Sequence, residues 1–243
     1  MQSFQLRKSL TIFQGLTDFE IICESNFFYL ATQSYPHPTM KFDRYLNKSN
    51  TSSLDSKNII ILDNGNTKEI YISHEHGINR LNSSLDRVLT VSNNTLFGGI
   101  RGIWYNNTAD EIHLFTQDHN KVYLFNRDLN YTGYYNITCK STYVTEQSGI
   151  IYAAAANPYG RIMMIKDKTV INEFPTPDIV IRLLFDNYGI LAILCPNNMT
   201  YLYYPNGTYT GKSWTSPIDG STNFGFDPFG NFIFSNATGM YFF

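Results

Sequence analysis

IRGIWYNNTADEIHLFTQDHNKVYLFNRDLNYTGYY, residues 100–135, decides the fold. It contains four runs rich in Ile, Leu, Val, Phe and Tyr, at Ile100–Tyr105, Glu111–Thr116, Lys121–Phe125 and Tyr131–Tyr135, and polar residues rich in Asn and Asp separate them. Short β-prone runs between turn-forming residues indicate strands, and strands joined by short turns pair antiparallel. This stretch therefore predicts one four-stranded antiparallel sheet.

The same order of runs recurs along the chain at a spacing of about 40 residues. The further copies are 18–33, 58–91, 141–174, 179–214 and 221–243. No long stretch places apolar residues at the i, i+3, i+4, i+7 spacing of a helix. Four antiparallel strands in each repeat are typical of a propeller blade. We predict an all-β fold, a six-bladed β-propeller of four-stranded antiparallel blades, in a single domain over residues 1–243.

The last copy has three strands, and the N-terminal segment supplies a candidate for the fourth. Pairing of Leu6–Phe13 with the last copy would close the ring and cover a free sheet edge. However, Leu6–Leu10 also matches Leu81–Leu85 and Phe125–Leu129, so it competes with Met240–Phe243 for the third strand. Both options stay open. The expected blades are 17–55, 56–97, 98–140, 141–177, 178–215, and 216–243 together with 1–14.

The repeat unit is clearest in FDNYGILA (185–192), FDPFGNFI (226–233) and VYLFNRDL (122–129). It resembles the repeats of NHL-like six-bladed propellers, and the second half is similar to uncharacterised NHL-repeat proteins of small invertebrates. IFSNATGM (233–240) is similar to a passage of the secreted pigment-binding propellers of insects. The resemblance implies the fold and leaves the function open, because such propellers include enzymes, RNA binders and adhesion modules.

Charge and hydropathy exclude two classes of partner. The chain has 18 basic and 20 acidic side chains, a net charge of −2, which argues against binding nucleic acid by neutralising phosphates. No apolar run reaches the roughly 18 residues of a membrane helix. We therefore expect no nucleic-acid binding and no membrane insertion.

The number of Asn-x-Ser/Thr glycosylation acceptors bears on the cellular compartment of the protein. Chance predicts about four Asn-x-Ser/Thr acceptors in a chain of this composition, and ten occur, at Asn47, Asn50, Asn82, Asn93, Asn106, Asn130, Asn136, Asn198, Asn206 and Asn236. They favour a glycosylated, extracellular or secreted protein. The alternative is an Asn-rich chain whose loops contain acceptors by composition alone. The first residues lack the apolar core of a signal peptide, so the extracellular prediction requires a fragment or a trimmed chain.

The three cysteines, Cys23, Cys139 and Cys195, are too few for a disulfide scaffold. One disulfide with a spare thiol and three buried thiols both fit the sequence.

Alignment of the innermost strands predicts a ring of residues at one end of the central channel, namely Glu20, Ile59, Arg101, Thr142, Arg182 and Asn223. Two guanidinium groups near one carboxylate could bind an anion or a carboxylate-bearing ligand. We take Glu20, Arg101, Arg182 and Asn223 as the candidate ligand-binding residues. The alternative is a structural network between Glu20 and the arginines that fills the channel together with water.

Histidines give a weaker candidate for a metal site. His74 and His76 end a predicted second strand, and His119 occupies the matching turn of the next copy, an arrangement that zinc could use. Solvated loop histidines are the alternative. Asp63, Asp186 and Asp227 align with one another in turns, where an ordinary turn role accounts for them.

No catalytic residue is predicted, because the sequence contains no nucleophile elbow, phosphate loop or dinucleotide fingerprint. The leading functional hypothesis is a non-catalytic extracellular module without a cofactor, which binds a protein, a glycan or a small acidic ligand on its loop face. The alternative is a metal-dependent, lactonase-like propeller hydrolase that holds Ca²⁺ or Zn²⁺ at the channel.

Overall fold

The computed structural model describes residues 8–11, 16–22, 27–32, 39–43, 48–52, 54, 56–63, 67–93, 97, 99–116, 118–155, 160–221, 223–226, 231–236 and 239–243. For 8–11, 16–22, 28, 30 and 32 this description covers the backbone and not the side chains. The described residues contain no helix long and apolar enough to cross a membrane. Their strands, in chain order, are β1 (Lys8–Thr11), β2 (Leu16–Ile22), β3 (Phe27–Thr32), β4 (Thr39–Asp43), β5 (Lys48–Ser52), β6 (Asn58–Asp63), β7 (Lys68–His74), β8 (Gly77–Leu81), β9 (Arg87–Ser92), β10 (Ile100–Asn106), β11 (Glu111–Thr116), β12 (Lys121–Phe125), β13 (Tyr131–Asn136), β14 (Ser141–Gln147), β15 (Ile150–Ala155), β16 (Arg161–Lys166), β17 (Thr169–Pro175), β18 (Arg182–Phe185), β19 (Leu191–Leu194), β20 (Met199–Tyr203), β21 (Tyr209–Thr215), β22 (Asn223–Phe226), β23 (Phe232–Asn236) and β24 (Gly239–Phe242).

Among the described residues these strands form six four-stranded antiparallel sheets, each of which we call a blade. Blades 1 to 5 take four consecutive strands each, from β2–β5 to β18–β21, and blade 6 takes β22–β24 with β1. The first strands of successive blades contact one another from β2 to β22, and β22 contacts β2. This arrangement confirms the predicted all-β propeller ring of four-stranded antiparallel blades.

The core lies between neighbouring blades, because successive side chains of a strand point to opposite faces of its sheet. Ile112 and Leu114 of β11 are buried in one cluster with Tyr71 of blade 2. Phe115 of the same strand belongs to a different cluster, with Met163 of blade 4. Each blade therefore needs an apolar residue at nearly every position of its middle strands, which accounts for the recurring Ile, Leu, Val and Phe runs.

The N-terminal strand completes the last blade. In β1, Lys8 is paired with Phe242 and Leu10 with Met240, so β1 lies outside β24. β24 in turn pairs with β23 as the third strand. The predicted closure by the N-terminal strand is confirmed, and the competing placement of this segment as a third strand is wrong.

The turn between the third and fourth strands explains the repeated Asn-x-x-Leu sequence. The side-chain oxygen of Asn82 accepts hydrogen bonds from the backbone N–H groups two and four residues later, both at 2.9 Å. Leu85 then adopts a left-handed backbone (φ 65°) and is buried. Asn126 and Leu129 repeat the arrangement in blade 3, with φ 56° at the leucine. Burial of the leucine side chain offsets the cost of this conformation, which non-glycine residues rarely adopt.

Cys139 and Cys195 are both buried and free. Burial raises the pKa of the Cys195 thiol to about 12. Cys23 lies outside the described residues. A disulfide between the two described cysteines is therefore excluded.

Candidate functional site

The first strands of blades 2 to 6 line a central cavity of about 390 Å³. Most of its lining is apolar or aromatic and includes Trp104 and Phe224. The described lining residues include one cation, Arg182, and one carboxylate, Glu146. The central cavity is therefore built from strands rich in apolar residues, but the surface that it exposes is mainly polar and includes a balanced pair of charges.

The predicted alignment of the two channel arginines does not hold. Strand pairing steps from Ile100–Thr116 to Gly102–Phe115, which places Arg101 in a β-bulge. Arg182 instead pairs with Leu194 in a regular ladder. A bulge inserts one extra residue and re-aims the side chains around it. As a result Gly102 lines the central cavity together with Arg182, and Arg101 does not.

The structure places one of the other two candidates relative to the cavity. Glu20 occupies β2 opposite Tyr29, but its side chain lies outside the described part of the chain. Asn223 is buried at the start of β22, opposite Ser235, and the next residue, Phe224, lines the cavity. Of the three predicted ligand-binding residues whose side chains the structure describes, Arg182 is the one that lies in this wall.

The three histidines do not assemble into a metal centre. His74 ends β7, and His76 belongs to the turn that follows, where its backbone N–H lies 3.4 Å from Nδ1 of His74. His119 contacts the Tyr123 hydroxyl at 3.4 Å. Within the described ranges no group of three His, Cys, Asp or Glu side chains could hold a metal ion. His74 and His76 lie on blade 2 and His119 lies on blade 3, and the described structure does not bring the three rings together as the predicted zinc site.

The aspartates that align in turns have local roles where the structure describes them. The carboxylate of Asp186 accepts the backbone N–H groups of Tyr188 at 2.9 Å and Ile190 at 2.8 Å. Asp63 forms an ion pair with Lys68 at 2.6 Å. Asp227 lies outside the described residues. The ordinary turn explanation is confirmed for Asp186.

A second cavity, of about 660 Å³, lies between blades 3 and 4, and we call it the Trp104 cleft. One wall is the β10–β11 hairpin with its turn at 106–109, and the other comes from the turns after β14 and β16 of blade 4. Trp104 and Glu146 line both this cleft and the central cavity. The two cavities therefore adjoin across a wall that contains one aromatic side chain and one carboxylate.

His113 is the most unusual polar residue of the Trp104 cleft. Its side chain is 2% exposed, and its Nδ1 lies 3.2 Å from the Tyr135 hydroxyl. Burial lowers the pKa of His113 to about 4, opposed by the nearby Glu111 carboxylate. The ring is therefore neutral at physiological pH. Its Nε2 is buried and has no hydrogen-bond partner among the described residues.

Charged residues around His113 tie the two blades together. Nζ of Lys168, in the turn after β16, lies 2.9 Å from Glu111 Oε2 on β11. Glu111 Oε2 is also 3.6 Å from His113 Nε2. Glu146 accepts the backbone N–H of Gly149 at 2.5 Å, which fixes the carboxylate in the β14–β15 turn. The polar groups of the cleft are thus held by a rigid framework.

Sequence reasoning missed both Trp104 and His113. The signal was present in the hairpin: a turn at 107–110 pairs Asn106 with Glu111, Tyr105 with Ile112, and Trp104 with His113. The paired rings lie edge to face, with centroids 4.8 Å apart and an interplanar angle of 82°. The sequence of the hairpin did not predict that the neighbouring blade would bury His113.

Comparison with known proteins supports the fold alone and shows no family or activity for this chain. No protein-family model matches this sequence, and neither does any curated protein sequence. Among solved structures, virginiamycin B lyase from Staphylococcus aureus is similar, with a TM-score of 0.73 at 13% identity over 94% of this chain and 81% of that one.

Two further similar structures are not lyases by name. The Neurospora crassa Pan2 WD40 domain gives a TM-score of 0.65 at 9% identity, covering 94% of this chain and 89% of that one. The BBS1N chain, solved in complex with ARL6DN, gives 0.64 at 11% identity, covering 91% and 75%. At such identities the likeness shows the fold alone. The chain is a β-propeller.

Proposed function

We propose that this chain is an extracellular, non-catalytic binding module, a single-domain propeller closed as a ring of six blades. The observation that carries the proposal is the adjoining pair of cavities, which share Trp104 and Glu146. Concave pockets that combine apolar and aromatic side chains with a few placed polar groups are typical of binding sites. The closed contacts from β2 to β22 and the β1–β24 pairing support a rigid scaffold for them. Membership of the NHL-like group is part of this proposal.

A protein is the partner we favour for the central cavity. The similar BBS1N structure contains a bound protein, which supports protein binding by a propeller of this size. A segment of a partner that enters the cavity would meet Arg182, the single cation of its described wall. An acidic side chain on that segment, or a small acidic ligand, would form a charge-assisted hydrogen bond there.

Replacement of Arg182 tests this proposal. Peptides selected for binding to the wild-type chain from a displayed library should be rich in Asp or Glu. Arg182→Ala should weaken their binding by about 10- to 150-fold, the loss expected for a charged hydrogen bond of about 1.5–3 kcal/mol. The measurement is the peptide Kd by calorimetry.

Lys212→Ala provides the matched control, since Lys212 is an exposed cation on the outer strand of the same blade. The control should bind like the wild type. If Arg182→Ala binds equally well, the site lies elsewhere. If Arg182→Ala unfolds the protein, Arg182 is a structural brace. If peptide binding to Lys212→Ala falls as much as binding to Arg182→Ala, the loss reflects net charge and the site at Arg182 is overturned.

The metal-dependent hydrolase is the alternative, and propellers among the similar structures include enzymes by name, the virginiamycin B and streptogramin B lyases. It requires a cation held at the channel by carboxylate and amide oxygens. Equilibrium dialysis with Ca²⁺ and with Zn²⁺ separates the two functions. Tight binding of either ion would favour the hydrolase over the binding module.

The extracellular part of the proposal makes a prediction about glycans. Among the acceptors that the structure describes, four are exposed, namely Asn82, Asn130, Asn136 and Asn206. Asn106 differs from these four in being half-buried. After passage through a eukaryotic secretory pathway, we expect glycans on the exposed four, because a bulky polar group there can face water.

Intact mass before and after glycosidase treatment measures this occupancy. Asn82→Gln should remove one glycan from the total, while Asn106→Gln should leave the mass increment unchanged. A secreted preparation that shows no mass loss on treatment would return the acceptors to the Asn-rich explanation.

A further inference from the structure

The Trp104 cleft has the size and the polarity of a small-molecule site. Its volume of about 660 Å³ lies within the range of ligand pockets, roughly 300–1,000 Å³. Apolar walls come from Ile151 of β15 and Ile165 of β16, and Trp104 adds an aromatic surface. The turn at 106–109 provides amide and hydroxyl groups. All of its lining residues belong to the described part of the chain.

His113 places a buried polar atom in the wall of the cleft, and its Nε2 faces Glu111 Oε2 at 3.6 Å. This carboxylate favours the tautomer with the proton on Nε2, so that the Tyr135 hydroxyl donates to Nδ1. The distance to Glu111 is longer than a direct hydrogen bond, so a ligand hydroxyl that reaches Nε2 would satisfy this donor.

The charges of the cleft argue against an anionic ligand. Glu146 and Asp167 line it as carboxylates, and Lys168 is its one cation. That cation is engaged by Glu111 at 2.9 Å. The remaining excess of negative charge repels anions and offers acceptors to ligands rich in hydroxyl donors.

We propose that the Trp104 cleft binds a neutral saccharide. One sugar hydroxyl bonds to His113 Nε2, other hydroxyls donate to Glu146 and Asp167, and the apolar face of the ring lies against Trp104. Asn107, exposed at the rim of the cleft, adds an amide that donates and accepts. This site does not depend on the proposed protein partner, which occupies the central cavity through Arg182.

Saturation-transfer NMR with glucose, maltose, cellobiose and chitobiose tests the site, followed by calorimetry on each sugar that binds. At least one of them should bind with a Kd of about 10 mM or tighter, in line with the efficiency of small ligands. Trp104→Ala and Asn107→Ala should each weaken that binding at least about tenfold, which corresponds to about 1.4 kcal/mol. Glucuronate should bind more weakly than glucose because of the carboxylates in the cleft.

Asn107 keeps the test independent of folding, because its side chain is exposed in a turn. Tyr134→Ala, an exposed aromatic on the outer strand of blade 3, is the control and should bind sugars like the wild type. The proposal is overturned if none of the four sugars binds, if Asn107→Ala and Trp104→Ala bind like the wild type, or if glucuronate binds more tightly than glucose. Arg182→Ala should leave sugar binding unchanged, so the failure of one proposal does not decide the other.

Discussion

Deletion of residues 1–14 should lower the melting temperature by about 10 °C and make the protein prone to aggregate. The deletion removes β1, whose backbone pairs with β24 from Lys8–Phe242 to Thr11–Gly239. Loss of a few strand hydrogen bonds, each contributing about 1 kcal/mol, reduces the free energy of unfolding. It also exposes the edge of β24 to other chains. Scanning calorimetry and light scattering measure the two effects.

A shorter deletion, of residues 1–6, leaves β1 intact and is the control. It should keep the melting temperature of the full chain. If deletion of residues 1–14 leaves the melting temperature unchanged, closure by the N-terminal strand contributes nothing to stability, and the ring is held by contacts between the first strands alone.

Acid should destabilise the protein through His113. The neutral ring is favoured by burial, which lowers the folded-state pKa to about 4, against about 6.5 in the unfolded chain. As the pH falls from about 6.5 to about 4, the unfolded chain therefore takes up a proton that the folded chain does not. The free energy of unfolding falls in that pH window by up to about 3 kcal/mol. The full contribution of the neutral His113 ring to stability is present above about pH 6.5.

The groups that face His113 shape this response. Glu111 favours the charged ring, whereas Lys168 opposes it, and Tyr135 bonds the other nitrogen. Urea denaturation across this pH window should show a smaller loss of stability for His113→Phe than for the wild type. His119→Gln serves as the control and should keep the wild-type loss. If His113→Phe loses as much stability in acid as the wild type, other groups cause the destabilisation.

Local sequence patterns predicted much of the fold. Each four-run repeat contained its own turns and alternation, so the sheets could be identified without knowledge of their neighbours. The N-terminal closure also followed from counting strands, because a three-stranded last copy needs a fourth. The choice between third and fourth strand required the β1–β24 register, since Leu6–Leu10 fitted both positions equally well.

The candidate sites could be predicted from the sequence only in part. Alignment of the innermost strands assumed regular ladders, and the bulge at Arg101 broke that assumption. A one-residue shift in a strand moves a side chain to the other face. Arg182 was found because its ladder is regular where it pairs with Leu194. Trp104 and His113 were within reach as a hairpin pair, but nothing in the hairpin indicated that the ring would be buried.

The sequence by itself therefore determined the strands, the repeat and the segment that closes the ring, because these depend on residues close together in the chain. Only the tertiary structure decided which side chains meet in a cavity. The Trp104 cleft requires blade 4 to pack beside blade 3, which buries His113 and brings Lys168 to Glu111 across 57 positions of the chain. Burial and the resulting loss of hydration arise from that packing, and no local pattern encodes them.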